Sequence, residues 1–152
     1  MIKTILSALC AVFAVTSLTA AAQTLDVSPL TIRSGETEHM FTVEIADEPE
    51  EISNGLMHRE SLDRNKGMLF QFAQPREPAM YMKNTLIPLD MLFIAEDGRI
   101  EMIARNAVPG SLRTISPGTP VKGVLELNGG QAAELGIQPG DIVVHPFFGT
   151  AG

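Results

Sequence analysis

The sequence predicts a mainly β protein with two short helices, folded as a single compact barrel or sandwich-like domain. Several runs alternate apolar and polar residues with the period of two that half-buried strands show, as at Phe41, Val43 and Ile45. Glycine and proline separate these runs at short intervals, as turns between strands require. Because no repeat or linker-like stretch interrupts the chain, the strands are expected to share one core.

The N-terminal residues 1–22 are typical of a secretory signal peptide. Lys3 precedes an uncharged, mostly apolar run that ends in three consecutive alanines, the small-residue pattern of a cleavage site. The run is also long enough for a membrane anchor, which is the alternative interpretation. Cleavage would leave residues 23–152 as a single mostly β domain, so the protein is expected to be periplasmic or secreted.

Composition disfavours several classes of function. The net charge of −7 opposes binding to phosphate backbones and anionic lipid headgroups, so neither nucleic acid nor, after cleavage, a membrane is an expected partner. The only cysteine, Cys10, lies in the signal segment, which leaves the mature domain without a thiol nucleophile or thiolate ligand. No serine-elbow, phosphate-loop or dinucleotide glycine pattern occurs. We therefore assign no catalytic residue, metal site or cofactor.

The first half of the mature chain predicts strands around a short helix. Alternating runs over 25–33 favour an edge strand because a proline splits them, and a half-buried strand is expected over 41–46. Asp47 can cap a helix whose first turn holds Pro49 and acidic residues, which suit the positive end of a helix dipole. The short apolar run at 67–70 predicts the next strand.

Residues 80–94 are the stretch around which the remaining strands are arranged. They predict one strand, a turn set by Pro88 and a second strand. Asp97 and Gly98 lie between the next two apolar runs, and an Asp-Gly pair at such a point favours a tight primed hairpin turn.

The C-terminal part combines a long loop with the last regular elements. Residues 106–120 contain three prolines and two glycines among serine and threonine, which predicts a structureless loop, either a lid over a site or an external wrapping. A strand over 121–127, a short helix over 130–135 that stops at the following glycine, and a strand over 142–144 are expected to complete the domain.

Several short motifs together resemble one protein family. They are Gly-Leu-Met at 55–57 with Arg59, Gly-Met-Leu-Phe at 67–70, Met-Tyr-Met-Lys-Asn-Thr at 80–85, Ile-Pro-Leu-Asp at 87–90, Val-Leu-Glu-Leu at 124–127 and Gly-Asp at 140–141. The combination is similar to domain-of-unknown-function family 192 over about 42–144. Tyr81 stands where the family usually has tryptophan, which keeps an aromatic side chain there. The resemblance implies a compact, mainly β domain, often exported from bacteria, and no assigned activity.

The candidate functional residues form one predicted polar cluster, either ligand-binding or structural. Its members are Arg59, Lys83, Asn84, Asp90 and Glu126. Asp90 falls in an apolar strand expected to be buried on both faces, where an unpaired carboxylate would be costly or stay protonated. Lys83 or Arg59 could supply the opposite charge, or backbone amides of the turn at 87–88 could bind the carboxylate. A structural role is favoured over catalysis or ligand binding.

Glu126 and the methionines leave two alternatives open. The simplest interpretation exposes Glu126 on a strand face, but if it turned toward Lys83 and Asp90, the three would form an acid–base set. Exported methionines could bind copper(I), with His58 as a helper, although core packing explains them more simply. The methionines near the stretch 80–94 are Met57, Met68, Met80, Met82 and Met91.

The sequence therefore predicts an exported envelope protein of unassigned biochemical function, acting as a non-catalytic binding or accessory module. Its expected partner is an unknown small ligand or another envelope protein. The first alternative is a small-substrate enzyme that uses Asp90, Glu126 and Lys83. The second is copper(I) handling through the methionines.

Overall fold

Seven strands and two short helices make up the computed structural model, which describes residues 24–151. The strands are β1 (Val27–Ser34), β2 (Thr37–Ala46), β3 (Lys66–Arg76), β4 (Leu89–Ile94), β5 (Ile100–Ala107), β6 (Val121–Asn128) and β7 (Ile142–Val144). The helices are α1 (Pro49–Asn54) and α2 (Gln131–Glu134), and a 3₁₀ helix covers Pro146–Phe148. The predicted signal peptide, residues 1–22, lies outside the described residues. Within 24–151, no helix is long and apolar enough to cross a membrane.

All seven strands belong to one sheet with the order β5-β4-β6-β3-β2-β1-β7. Neighbouring strands are antiparallel except β2 and β3, which run parallel. The sheet curls so that its two edge strands approach each other at one end, where Arg99 beside β5 forms an isolated bridge with Ile142 of β7. The N–H of Ile100 also donates to the Asp141 carbonyl at 2.9 Å. The predicted mainly β domain with two short helices is confirmed, as a half-barrel.

Strand residues alternate between the two faces of the sheet; the inner face is buried along all seven strands, and the outer face is buried over the central strands. All seven strands contribute apolar side chains to the inner face, among them Leu92 and Leu127. The outer face of the central strands carries a second core that includes Met68, Met91 and Phe93. Strand β4 is buried at each of its six positions, as its apolar sequence predicted.

Helix α1 belongs to the crossover that joins the parallel strands β2 and β3, and it begins one residue later than predicted. Pro49 restricts the preceding residue to extended backbone, so Glu48 (φ −86°, ψ 149°) and not Asp47 is the N-cap. The Glu51 carboxylate accepts the N–H groups of Asp47 and Glu48 at 3.2 and 3.1 Å. The acidic first turn therefore stabilises the start of the helix through hydrogen bonds as well as through its charge.

The predicted β4–β5 hairpin is confirmed, but its turn is not the tight primed turn that was expected. The N–H of Ala95 donates to the Arg99 carbonyl at 2.9 Å, which leaves three residues between them. Gly98 has a positive φ of 83° and Asp97 does not, whereas a type I′ turn needs both. A Cβ at Gly98 would lie 2.7 Å from the Val143 carbonyl oxygen, so glycine also lets β7 approach.

Residues 80–85 do not form the strand that the sequence predicted. Met80 makes one isolated bridge, with Ile115, and the N–H of Met82 donates to the Ser111 carbonyl at 2.9 Å. Both partners lie in the loop between β5 and β6. Because β4 already has β5 and β6 on its two edges, the segment pairs with this loop instead of with the sheet.

The predicted loop over 106–120 begins at residue 108, since β5 ends at Ala107. The N–H of Gly110 donates to the carbonyls of Met82 and Thr85 at 3.0 and 3.1 Å. Backbone hydrogen bonds therefore hold the loop against residues 80–85, over the outer core.

Asp90 connects three separate parts of the chain through its carboxylate. It is fully buried on the inner face of β4. Its Oδ1 accepts the N–H groups of Asn106 and Gly130 at 2.8 and 2.9 Å, and its Oδ2 accepts that of Ala132 at 2.8 Å. The partners are thus backbone amides at the end of β5 and the start of α2, and not the turn at 87–88.

We expect Asp90→Asn to lower the free energy of unfolding by about 2–4 kcal/mol, because an amide would remove the charge and turn a donor toward backbone donors. Urea denaturation measures the change. Asp97→Asn is the matched control, since Asp97 lies in an exposed turn and accepts one backbone N–H, from Arg99 at 3.1 Å. We expect the control to change stability by less than about 1 kcal/mol. Equal losses in the two variants would contradict the role given to Asp90.

Candidate functional site

Glu126 lies on the outer face of β6, directly between two buried methionines. It is paired with Met68 of β3 and with Met91 of β4, and both neighbours are fully buried. Glu126 itself is only 4% exposed. The expectation of an exposed Glu126 is therefore wrong, because the crossover between β2 and β3 and the segment before β4 cover this face.

The carboxyl group of Glu126 is largely buried and has no basic partner among the residues that the structure describes. Within residues 24–151 it has no hydrogen-bond or ion-pair partner, and burial raises its pKa from an ordinary value of 4.5 to about 8. Removing a carboxylate from water disfavours its charged form, which is the direction of this shift. At neutral pH the side chain is therefore mainly a neutral carboxylic acid, able to donate one hydrogen bond and to accept others.

A cavity of about 420 Å³ opens beside Glu126. Its walls come from α1 and the residues that follow it, from β3, and from the segment 76–81. Apolar side chains make up much of the lining, including Ile52, Met57, Phe70 and Met80. Small-molecule sites in proteins have about this volume and combine apolar walls with a few polar groups.

Two other charged side chains, Arg76 and Glu77, line the cavity. Both are exposed, and each already contacts another side chain. The guanidinium of Arg76 lies 4.1 Å from the centre of the Phe72 ring. Oε1 of Glu77 accepts a hydrogen bond from the Ser116 hydroxyl at 2.8 Å. Glu126 is therefore the buried ionisable group of the cavity.

Asp90 and Glu126 lie on opposite faces of the sheet. Residues directly opposite in an antiparallel pair point to the same side, and Asp90 is opposite Leu127 whereas Glu126 is opposite Met91. Leu127 belongs to the inner core and Met91 to the outer core. The acid–base set of Asp90, Glu126 and Lys83 is therefore not formed, because the sheet separates its two carboxyl groups.

Arg59 binds a different carboxylate from the two considered in the sequence. Its Nη1 and Nη2 donate to the two Glu44 carboxylate oxygens at 2.7 and 2.6 Å, which ties the residues after α1 to β2. The hydrogen bonds to Glu44 raise the pKa of Arg59 above its ordinary value. Both side chains line a separate hollow of about 400 Å³ together with Lys66. Arg59 thus stabilises the crossover and lies apart from the Glu126 cavity.

Lys83 and Asn84 form an exposed turn beside that cavity. Asn84 has a positive φ of 54°, and its carbonyl accepts the N–H of His58 at 2.8 Å. Its side-chain Nδ2 lies 3.9 Å from the sulfur of Met57, which lines the cavity. Lys83 forms no salt bridge with the described residues. Asn84 therefore supports one wall, while Lys83 faces solvent.

The five methionines near the stretch 80–94 divide into two groups. Met68, Met82 and Met91 are fully buried in the outer core, while Met57 and Met80 are half-buried and line the cavity. Core packing therefore accounts for the first three. The part of the chain that the structure describes contains no group of three or more His, Cys, Asp or Glu side chains placed to hold a metal ion.

A serine–histidine contact that the sequence did not suggest also occurs. Nε2 of the buried His145 lies 2.9 Å from the Ser28 hydroxyl, and its Nδ1 accepts the N–H of Phe147 at 3.2 Å. The ring proton is therefore on Nε2, where it is donated to Ser28, and burial lowers the pKa of His145. In this tautomer the imidazole cannot take the proton of Ser28, so the contact is structural.

The cavity itself was not predicted. Glu126 shares its face of β6 with Lys122, Val124 and Asn128. This largely polar pattern indicated exposure and gave no signal for the cavity. The walls at 52–57 and 76–81 come from segments far apart in the chain, and no local pattern brings them together.

Comparison with known proteins gives structural relatives but no curated match. A proposed transcription regulator from Sinorhizobium meliloti 1021 is 42% identical, with a TM-score of 0.79 over 81% of this chain and 96% of that chain. A protein of unknown function from Novosphingobium aromaticivorans DSM 12444 is 39% identical, with a TM-score of 0.76 over 82% of this chain and 93% of that chain.

The family comparison agrees with the motifs read from the sequence. Residues 30–145 match the family described as uncharacterized ACR, DUF192. The match extends from β1 to the residue after β7 and so includes Glu126 and the walls of its cavity. The chain therefore belongs to domain-of-unknown-function family 192, as the resemblance predicted.

Proposed function

We propose that this protein is an exported, non-catalytic binding module that takes a small ligand in the cavity beside Glu126. The observation that carries the proposal is a carboxyl group that is buried, lines a cavity and lacks a hydrogen-bond partner within 24–151. Burial of the Glu126 carboxyl group disfavours its charged form, and a ligand that bonds to or pairs with this group would offset the cost of desolvation.

The surroundings of Glu126 favour binding over catalysis. Proton transfer by an acid–base pair needs a second group within hydrogen-bond reach of the reacting atoms. Asp90 lies on the other face of the sheet, and the side chains of Arg76 and Glu77 are engaged with Phe72 and Ser116. A single neutral acid among apolar walls is suited to recognising a polar group on a ligand.

Export belongs to the same proposal and rests on residues 1–22, whose composition matches a signal peptide. A small ligand of the cell envelope is the partner that this location suggests. One structural relative is a proposed transcription regulator, but the net charge of −7 of this chain opposes contact with DNA. Fractionation of cells that express the full chain tests this part, and recovery in the cytoplasm would contradict it.

The raised pKa of Glu126 predicts a specific dependence of stability on pH. Between about 4.5 and 8 the unfolded chain ionises at Glu126 while the folded chain stays protonated, so the free energy of unfolding falls as pH rises. Above about pH 8 both states are ionised and this contribution stays constant. Glu126→Gln does not titrate, so its stability relative to wild type should increase by on the order of 1 kcal/mol per pH unit in that window.

Denaturant unfolding at several pH values measures this difference. Glu96→Gln is the control, because Glu96 is exposed in the β4–β5 turn, and its stability should follow that of the wild type at each pH. If Glu126→Gln followed the wild type as closely as the control does, the carboxyl group would not be protonated in the folded protein.

The cavity is tested directly by filling it. Ala79 lines the cavity and is exposed, so Ala79→Trp should occupy the space without disturbing a core. We expect a thermal-shift screen with small amines, alcohols, carboxylic acids and sugars to find at least one class that raises the Tm of the wild type and not of Ala79→Trp.

Ala73→Trp is the matched control for this screen, since Ala73 is an exposed alanine of β3 outside the cavity. Its Tm should rise with the same probes as that of the wild type. A screen in which no probe class acts, or in which Ala79→Trp responds as strongly as the control, would contradict binding in this cavity.

A further inference from the structure

We propose that the cavity beside Glu126 selects a small organic cation, an ammonium group on an apolar body, which forms an ion pair with the Glu126 carboxylate. This inference rests on the proposed function and adds the class of ligand to it. The ammonium would lie against Glu126, and the apolar body against the wall formed by Ile52, Leu56 and Phe70.

The charges around the cavity favour a cation. Two acidic residues, Glu77 and Glu126, and one basic residue, Arg76, are the charged groups in its lining. Arg76 is exposed, with its guanidinium 4.1 Å from the centre of the Phe72 ring, and forms no salt bridge with Glu126 within 24–151. The buried carboxyl group has no basic partner in the described part of the protein, so an ammonium ligand would supply the positive half of an ion pair. The net charge of −7 also attracts cations toward the protein.

The uncharged walls suit the same class of ligand. Phe70 and Tyr81 supply aromatic rings to the lining, and Met57 and Met80 supply thioethers. Aromatic rings attract an ammonium ion over their faces, more strongly where water is excluded. Thioethers are polarizable and adapt to the shape of an apolar group. Among the described residues that line the cavity, an anionic ligand would meet two acidic residues, Glu77 and Glu126, and only one basic residue, the exposed Arg76.

Binding of a cation in this geometry releases one proton from Glu126. The neutral carboxylic acid loses its O–H proton to solvent, and the carboxylate that remains pairs with the ammonium group. Because the pKa of Glu126 is about 8, the affinity should rise about tenfold per pH unit below pH 8 and level off above it. A neutral or anionic ligand that accepts the Glu126 proton in a hydrogen bond would bind with constant affinity below about pH 8 and more weakly above it.

The other ionisable groups that face the cavity come from one segment. They are Arg76, Glu77 and Tyr81, all exposed, whereas the lining residues over 52–57 carry no ionisable side chain. The cross-strand neighbours Met68 and Met91 carry none either. A pH dependence that disappears in Glu126→Gln and persists in Glu77→Gln therefore belongs to Glu126.

Three probes with similar apolar bodies and different charges test the inference: 2-phenylethylamine, 2-phenylethanol and 3-phenylpropanoate. Titration of the isotope-labelled protein by NMR gives the Kd of each probe at several pH values between about 6 and 9. We expect the amine to bind most tightly, with the pH dependence given above, and to shift resonances of the cavity lining. Glu126→Gln should weaken the amine at least about tenfold at pH 8 and remove the pH dependence, while Glu77→Gln should keep it.

The outcomes separate the two proposals. If the alcohol or the acid binds in the cavity and the amine does not, the cation inference is overturned and the proposed function stands. Amine binding that Glu126→Gln leaves unchanged overturns the inference as well. If none of the three shifts the resonances of the cavity lining, the cation inference fails, and the proposed function is decided separately by the thermal-shift screen with the wider set of probes. Circular dichroism of each variant establishes that it is folded, and Glu126→Asp, which keeps the acid, should retain part of the affinity.

Discussion

The three backbone hydrogen bonds to the Asp90 carboxylate are the constraint on which the rest of the structure depends. They connect β4 to the end of β5 and to the start of α2, three parts of the chain that are distant in sequence. With this carboxylate satisfied, β4 can stay fully buried between β5 and β6. The pairing of β4 with β6 then sets which residues of β6 face outward, and Glu126 is one of them.

Two buried carboxyl groups on neighbouring strands thus have opposite roles because their environments differ. Asp90 meets three N–H donors, so its charge stabilises the fold. Glu126 meets two methionines and a cavity, so burial favours its neutral form. The same period of two that places Asp90 in the inner core places Glu126 in the outer one. The fold therefore leaves one acidic group uncompensated at the point where a ligand can reach it.

The sequence predicted the mainly β fold, both short helices and the β4–β5 hairpin, because each depends on local periodicity or turn residues. The family was predicted from the resemblance of several short motifs taken together. It did not predict that residues 80–85 pair with the loop after β5, since the available sheet edges depend on strand order. For Glu126, alternation along β6 indicates a face but not what covers it. The cover is the crossover that the parallel pair β2 and β3 requires, and its position is a tertiary property.

The central claim is that Glu126 is a largely buried acid that is neutral at neutral pH in the protein without ligand. The ionisation of this carboxyl group can be observed directly. Carbon-13 NMR of the side-chain carboxyl groups over a pH titration resolves each glutamate, and comparison with Glu126→Gln assigns the signal of Glu126. We predict a midpoint near 8 for this carbon. A midpoint near the ordinary value of 4.5 would show a solvated or paired carboxylate and would contradict the account.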